Sequence, residues 1–139
     1  MDRRVMNGTW GQLWVNDELW AELDGFQAKS SYNKESVLLC GNMVEGSKIT
    51  SIKNTGSISV KKMYTRNHTR TNDLMDGKDV RGTIVAKLDD PDAYGAERVA
   101  LYDVSFDEET IMDFSAGNIA KANYPFTFGR REWLDVVNP

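Results

Sequence analysis

The chain has few of the residues that usually cross-link small proteins or carry out chemistry. It contains one cysteine, Cys40, and one histidine, His68, among 139 residues. A single cysteine excludes an internal disulfide framework and leaves the redox compartment open. A histidine-based zinc site would have to recruit carboxylates and Cys40 to complete its ligands. We therefore expect Cys40 to be a buried, inert thiol, His68 to be solvated, and the fold to depend on its own hydrophobic core.

Long apolar runs and an excess of positive charge are also absent. The longest apolar run, residues 37–40, is far shorter than the about 20 residues that span a bilayer. No signal peptide is recognisable after Arg3 and Arg4. The 17 basic and 21 acidic residues give a formal net charge of −4, which provides no electrostatic footprint for gripping nucleic acid. These features predict a soluble, unprocessed single domain over residues 1–139.

Sequence signatures of catalysis are missing as well. The chain has no phosphate loop, nucleophile elbow or dinucleotide fingerprint. Asp89, Asp90 and Asp92 invite a calcium interpretation. An EF-hand loop counted from Asp90, however, has Tyr94 at the fifth position and Leu101 at the twelfth, where a bidentate glutamate is needed. The stretch is typical of an acidic β-turn. We do not expect an enzyme, and a metal-dependent hydrolase using these three aspartates is kept as an alternative.

Alternation of apolar and polar residues predicts a mainly β fold. Successive side chains of a strand point to opposite faces, so a period of two marks a strand with one buried face. The alternation is clear through residues 80–89, where only Val85 breaks it. Further strands are predicted at residues 13–15, 18–23, 57–61, 98–106 and 122–128. The first two flank Asn16 and Asp17, which tolerate the positive φ of a tight hairpin, and residues 98–106 are apolar on both faces, as in a central strand.

One short helix and one long loop complete the predicted fold, a β-sandwich or barrel. The helix is predicted at about residues 66–77, with Gly77 at its C-cap. The loop is predicted at about residues 41–55, which is longer than the about 12–15 residues usual in a compact domain. Its apolar residues predict a projecting arm that packs against a neighbouring chain. The alternative is a surface loop folded back on its own barrel.

The most distinctive stretch of the chain is residues 88–107, LDDPDAYGAERVALYDVSFD. It resembles the tail tube proteins of contractile phages, defective prophages and phage-tail-like bacteriocins of Gram-positive bacteria. Three other stretches agree in order and spacing, at residues 8–15, 26–29 and 124–128. The resemblance covers nearly the whole chain, and the run GAERV at residues 95–99 is its most specific part. Residues 66–78 depart from it, because similar proteins have a more clearly amphipathic helix there.

The resemblance implies a structural protein with no cofactor. Similar subunits form hexameric rings, in which each copy contributes strands to an inner β-barrel, and the rings stack into a hollow tube inside a contractile sheath. The fold is shared with type VI secretion tube proteins. The implied partners are further copies of the chain, the sheath protein, the tape-measure protein, the baseplate or tube initiator and the tail terminator. DNA is implied only as non-specific cargo of the lumen, membrane binding by the subunit is not implied, and the implied location is a virion tail or tail-like particle assembled in the bacterial host cytoplasm.

The resemblance also offers partners for apolar residues that a self-contained sandwich does not explain. The arm at residues 41–55 is expected to reach a neighbouring subunit or ring. An isolated tryptophan between Glu18 and Glu22 is expected to be covered by a partner, while the apolar C-terminal segment can equally pack on its own domain. The candidate subunit contacts are Trp10, Trp20, Met43, Val44, Ile49, Ile52, Trp133 and Leu134.

Several alternatives stay open at the level of sequence. A secreted, ring-forming effector carrier of the type VI kind would share the fold and would form rings without long tubes. An infectious phage, a remnant prophage and a bacteriocin are all compatible with the chain, as is a tail without a sheath. If the tube carries DNA, a lumen lined by acidic subunits would repel phosphate and let the DNA slide.

Overall fold

A computed structural model describes residues 2–139, apart from the side chains of residues 70 and 71. These residues form eight strands, one α-helix and two 3-10 helices at Asp2–Arg4 and Gly8–Trp10. The strands are β1 (Gly11–Val15), β2 (Glu18–Leu19), β3 (Leu23–Val37), β4 (Gly46–Lys61), β5 (Gly82–Leu88), β6 (Glu97–Phe106), β7 (Lys121–Thr127) and β8 (Arg130–Asp135); the helix α1 spans His68–Met75. Within the part of the chain so described, no helix has the length and apolar character needed to cross a membrane.

The strands form one antiparallel sheet whose two halves share a hydrophobic core. Their order is β2-β1-β5-β6-β7-β4-β3, and β8 pairs with β6. The first half of β6, residues 98–102, pairs with β8, and its last two residues pair with β7. Between them Asp103 has a φ of 56°, beside Gly129, where an added Cβ would lie 3.2 Å from the Asp103 Cβ. The strand predicted to be central is therefore confirmed, and it joins the two halves.

The predicted hairpin at Asn16 and Asp17 is confirmed, but the strand after it is shorter than predicted. The two turn residues have φ values of 52° and 68°. The Asn16 side chain accepts a hydrogen bond of 3.0 Å from the Thr83 N–H, which ties the turn to β5. β2 ends at Leu19 and β3 begins only at Leu23. The continuous strand predicted at residues 18–23 is wrong, because a turn in which the Leu23 N–H donates to the Trp20 carbonyl at 3.3 Å interrupts it.

β3 and β4 form a hairpin that the alternation pattern did not predict. The prediction of a loop over residues 41–55 is wrong from Gly46 onward, where the chain is strand, and only residues 38–45 connect the two strands. Ile52 lies opposite Tyr32 in the ladder. Both faces of this part of the hairpin are exposed, so no buried face imposes a period of two on its sequence. Cys40 lies exposed in the connection, which contradicts the predicted buried thiol.

The helix is confirmed in place and is shorter than predicted. It occupies residues 68–75 within the predicted 66–77. Gly77 follows it with a φ of 83°, and its N–H donates to the Leu74 carbonyl at 3.0 Å. The Lys78 N–H donates to the Asp73 carbonyl at 3.0 Å. This pair of bonds is a Schellman motif, in which glycine accepts the left-handed conformation at low cost.

The core fills the space between β1 and β5 on one side and β4 and β7 on the other. The Trp20 and Tyr124 rings meet edge to face with centroids 5.3 Å apart. The Phe126 ring lies over Gly56, where an added Cβ would come 2.5 Å from the Phe126 Cζ atom. The buried members are Leu13, Val15, Trp20, Ile58, Val60, Ile84, Leu101, Val104, Ala122, Tyr124, Phe126 and Phe128.

Candidate assembly surfaces

The outer half of the β3–β4 hairpin exposes apolar side chains on both of its strands. β4 pairs with β7 only over residues 55–61, so residues 31–53 have no third strand among the residues described. We call residues 35–46 the hairpin end. Met43, in the hairpin end, is 98% exposed, and the other exposed apolar side chains of the outer half are Tyr32, Val37, Leu38, Leu39, Val44, Ile49 and Ile52. A two-stranded hairpin with exposed apolar side chains is marginally stable alone, and such a patch is typical of a protein–protein contact.

A second apolar surface lies at the opposite end of β4. We call it the 110–122 groove; it has a volume of about 240 Å³. It is lined by Lys62, Thr110, Ile111, Met112, Asp113, Phe114, Ala120, Lys121 and Ala122. Three of these, Ile111, Met112 and Phe114, are each more than 70% exposed. Sequence reasoning missed this surface, although four large apolar residues between 111 and 119, without strand or helix periodicity, were a usable signal.

The two ends of the chain lie near a wide cleft beside the first half of β3. Trp133 on β8 stands opposite Val99 and lines this cleft of about 950 Å³ together with residues 23–28. Its side chain is 45% exposed and that of Leu134 is 38% exposed. Trp10, in the second 3-10 helix, is 48% exposed. These three side chains are available to a partner, while Trp133 also packs on its own domain.

Trp20 is the predicted contact that the structure contradicts. Its side chain is 1% exposed and belongs to the core, so it cannot meet a partner. The flanking acidic residues had suggested an exposed face. In the structure the Glu22 side chain is also buried, and its two carboxylate oxygens accept hydrogen bonds of 2.7 and 2.9 Å from Arg66. Arg66 also pairs with Glu18. The guanidinium therefore pairs with both acidic side chains from within the same chain.

This ion pair shifts the pKa values of both of its members. Hydrogen bonding from Arg66 holds the pKa of Glu22 below its usual range against the opposing effect of burial. The same bond raises the pKa of Arg66. Burial raises the pKa of the neighbouring Tyr124 hydroxyl. This bidentate, charge-assisted pair joins the turn before β3 to the segment before α1.

The acidic turn at residues 89–95 is also occupied by contacts of its own chain. Asp90 is 6% exposed, and its carboxylate accepts bonds of 2.9 Å from the N–H groups of Asn7 and Asp92. Arg4 stacks on the Tyr94 ring, with its guanidinium carbon 4.2 Å from the ring centroid. In the described residues no three His, Cys, Asp or Glu side chains are grouped to hold a metal ion. Asp90 thus holds the N-terminal segment on the turn.

Seven of the eight predicted contact residues lie on exposed surface, in three separate places. Met43 and Val44 are in the hairpin end, and Ile49 and Ile52 lie nearby on β4. Trp10 is on the N-terminal segment, and Trp133 and Leu134 are on β8. Their exposure makes them accessible, and their role as contacts stays a prediction. The sequence reasoning missed Leu38 and Leu39 in the hairpin end, because it placed the arm after Cys40.

Comparison with known proteins assigns the chain to a family. The sequence profile of the phage tail tube protein family matches residues 1–135. The phage-like element PBSX protein XkdM of Bacillus subtilis (strain 168) is 32% identical over 129 residues, which cover 91% of this chain and 88% of XkdM. The protein YqbM of the same strain matches to the same extent.

Solved structures confirm the fold at low sequence identity. A chain of the sheath/tube terminator of the PVC extracellular contractile injection system superposes with a TM-score of 0.79 at 11% identity, covering 94% of this chain and 97% of the other. A chain of the PVC sheath-tube complex gives 0.71 at 12% identity, with 95% and 93% covered. Hcp1 from Flavobacterium johnsoniae gives 0.58 at 8% identity, with 90% and 94% covered. The tail-tube-like β fold predicted from the sequence is thus confirmed, and the chain belongs to the phage tail tube protein family.

Proposed function

We propose that this chain, acting as a single tube domain over residues 1–139, forms hexameric rings that stack into the hollow inner tube of a contractile, phage-tail-like particle. Membership of the tail tube family supports the role of a structural subunit. The fold it shares with a chain of a sheath-tube complex supports a tube inside a sheath. The chain supplies binding surfaces and strand edges to this assembly, with neither catalytic residues nor a cofactor.

The exposed outer half of the β3–β4 hairpin is the observation that carries the proposal. A two-stranded hairpin is at best marginally stable alone in water. Here residues 31–53 extend beyond the third strand and expose Tyr32, Ile49 and Ile52, each at least half. Burying such side chains contributes about 25 cal/mol per Å² before the costs of association are subtracted. A neighbouring subunit is the simplest source of that burial.

Open strand edges support closure into a ring. β3 stands at one end of the strand order and β8 pairs only with β6 in the described chain, so each has an edge open to another chain. Unpaired edges favour addition of a further strand. When two different surfaces of one subunit meet and the rotation between copies closes, the product is a ring. If an open strand edge of one copy pairs with the other open strand edge of the next copy, the sheet continues around the ring.

The further partners follow from the family and from the named complexes. Related folds occur in a sheath-tube complex, in a baseplate and in a tube-terminating cap. For this chain we propose the sheath protein, a baseplate or tube initiator, a tail terminator and a tape-measure protein as partners. DNA or ions would pass through the lumen without specific binding. Assembly would take place in the bacterial host cytoplasm.

A type VI-like carrier is the second candidate function. The fold similarity to Hcp1 favours it. Such a protein would form discrete rings and load effector cargo, and long tubes would be absent. The family profile favours the tail tube over this carrier, because it matches residues 1–135.

Electron microscopy of the purified protein, with its mass measured by light scattering, tests the proposal. Hollow rods with six-fold rings in cross-section are the expected result. Discrete rings that never extend at any concentration would favour the carrier instead. A strict monomer, both alone and after addition of the cognate baseplate as initiator, would contradict both.

A further inference from the structure

One uncovered face of the sheet is polar almost throughout. It is the side of β3, β4 and β7 that points away from the core. Ile58 on β4 is fully buried, and Phe26 and Tyr124 lie opposite it on the two neighbouring strands, so these three side chains mark the core side. Successive side chains of a strand point to opposite faces. The uncovered face, which we call the lysine face, therefore consists of the odd-numbered residues of 27–33, 51–61 and 121–127.

The lysine face is basic, although the chain as a whole has a net charge of −4. Hydroxyl and amide side chains make up most of it, Pro125 is its one apolar member, and it contains no carboxylate. Lys29 and Lys53 form no ion pair with any carboxylate that the structure describes. The charged side chains of the face are Lys29, Lys53, Lys61 and Lys121.

Two carboxylates lie at the borders of the lysine face. Asp24, near the start of β3, has its oxygens 3.9 Å from the Nζ atoms of Lys61 and Lys121. Both lysine side chains are more than half exposed, so these ion pairs are weak. Asp107 follows directly after β6, where its N–H donates to the Pro125 carbonyl at 2.8 Å. Four lysines against two border carboxylates leave the face with a positive charge.

The other uncovered face of the sheet has a different composition. On the side of β1, β5 and β6 that points away from the core, Trp14 stands opposite both Leu19 and Val85, and Val85 stands opposite Ala100. These four apolar side chains form a row across β2, β1, β5 and β6. Val85, which breaks the alternation of its strand, thus belongs to a second apolar face. An apolar row is typical of contact with another protein, whereas a face of hydroxyl, amide and ammonium groups is suited to water.

On the basis of the tube function above, we propose that the lysine face lines the lumen and attracts the phosphate backbone of double-stranded DNA. The apolar row on the opposite side then faces outward, towards protein partners. Lysine ammonium groups attract phosphates irrespective of base sequence. Lys53 and Lys61 are eight residues apart on β4, which is about 26 Å. DNA carries one charge per about 1.7 Å of helix axis, so one copy meets several phosphates.

Local charge and net charge give opposite expectations for DNA in the lumen. The net charge of −4 predicts repulsion of phosphate. The lysine face predicts a weak attraction that decreases as the salt concentration rises. Six copies of this face in each ring surround the duplex with lysines. The lumen thus retains DNA by many exchangeable contacts and without sequence preference.

Protection of DNA from nuclease tests this contact. Subunits are assembled into rods in the presence of a short labelled duplex, so that the DNA does not have to thread through a finished tube. Nuclease then removes DNA outside the rods, and sedimentation measures the DNA that the rods protect. Wild-type rods should protect DNA at low salt, and the protected amount should fall steeply as the salt concentration during assembly rises.

Removal of charge from the lysine face should reduce this protection. Lys29→Gln combined with Lys53→Gln should protect at least about tenfold less DNA than wild type, and Lys29→Arg combined with Lys53→Arg should protect as much. The matched control, Lys78→Gln with Lys87→Gln, removes the same charge outside the face and should change protection by less than about twofold. The single substitutions are measured as well. Electron microscopy and far-ultraviolet circular dichroism check that each variant assembles and folds.

Thiol accessibility tests the orientation of the lysine face independently. In a Cys40→Ser background, Lys29→Cys places a thiol on the lysine face, and Gln12→Cys places one on the side of Trp14. A maleimide that carries a long polyethylene glycol chain should modify both thiols in dissociated subunits. In rods it should still modify Gln12→Cys protein and should leave Lys29→Cys protein unmodified, except at the tube ends.

The outcomes separate this inference from the function on which it rests. Equal DNA protection by the two glutamine double variants would overturn the DNA contact while leaving the tube intact. Rods that retain labelled poly-glutamate and exclude DNA would also overturn it, by giving the face to an acidic polypeptide. Modification of Lys29→Cys rods by the bulky maleimide as fast as in dissociated subunits would place the face outside the lumen. A wild-type protein that forms neither rings nor rods would overturn the tube function itself.

Discussion

The β3–β4 hairpin has an inner half, residues 23–30 and 54–61, and an outer half, residues 31–53, and the two halves have different surroundings. In the inner half, Ile58 is fully buried against β7 and the core. Six residues earlier on the same strand, Ile52 is 59% exposed. Both halves have ladders of paired residues, each interrupted by one shift of register, between Leu23 and Gly25 in the inner half and between Asn33 and Lys34 in the outer half. Backbone pairing therefore builds the whole hairpin, while the burial that stabilises it comes from the same chain only in the inner half.

The largest expected difference between the two halves is in the stability of the isolated subunit. Ile58→Ala removes a fully buried side chain and should lower the free energy of unfolding by about 2–5 kcal/mol. Ile52→Ala is the matched control on the outer half and should change it by less than about 0.5 kcal/mol. Urea unfolding under conditions that keep the protein monomeric measures both. Equal losses would mean that the outer half packs on its own chain.

The ion pair of Glu22 with Arg66, next to the inner half, should make the free energy of unfolding depend on pH. Arg66 lowers the pKa of Glu22 in the folded state below the unfolded value of about 4.3. The ionised carboxylate therefore adds stability above that pH, and the contribution is lost as the pH falls through the folded pKa. Glu22→Gln should cost about 1.5–3 kcal/mol at pH 7.

The same variant should also flatten the loss of stability below pH 4.3. The free energies of unfolding of wild type and Glu22→Gln, determined by urea unfolding at several values between pH 3 and pH 7, measure this difference. Parallel curves for the two proteins would show that the pair does not link protonation to folding.

In the outer half we expect a small effect on the monomer and a large one on assembly. Ile49 is half exposed in the subunit. Ile49→Asp should change the unfolding free energy by less than about 0.5 kcal/mol and abolish rods, because the charge would be buried in a contact. Electron microscopy shows whether the variant forms rods, and urea unfolding of the monomer measures its stability. A variant that unfolds would place Ile49 in the core of the monomer.

Local chemistry was enough to predict the elements whose cause lies within a few residues. The turn at Asn16 and Asp17 and the helix stop at Gly77 follow from φ preferences of single residues. The strand at residues 82–88 follows from the alternation of apolar and polar residues, and Ile84 is fully buried. Each of these signals needs only neighbours in sequence to be interpreted.

Prediction failed where a distant part of the chain decides the environment. Trp20 is buried beside Arg66, which is more than forty residues away in sequence and pairs with the glutamates on either side of the tryptophan. The outer half of β4 is strand because β3 pairs with it, although neither face is buried. The groove exists because residues 110–114 and 120–122 meet beside Lys62. None of these long-range pairings leaves a periodic trace in the sequence.

The amino-acid sequence therefore settled the mainly β class, the tight turn, the helix stop and the family of this chain, since alternation, backbone preference and motif spacing are local properties. Tertiary structure alone decided which tryptophan is core and which surfaces are left for partners. Burial of a side chain depends on everything that packs around it, and the two exposed apolar surfaces became visible only when β4 placed them at opposite ends of the subunit.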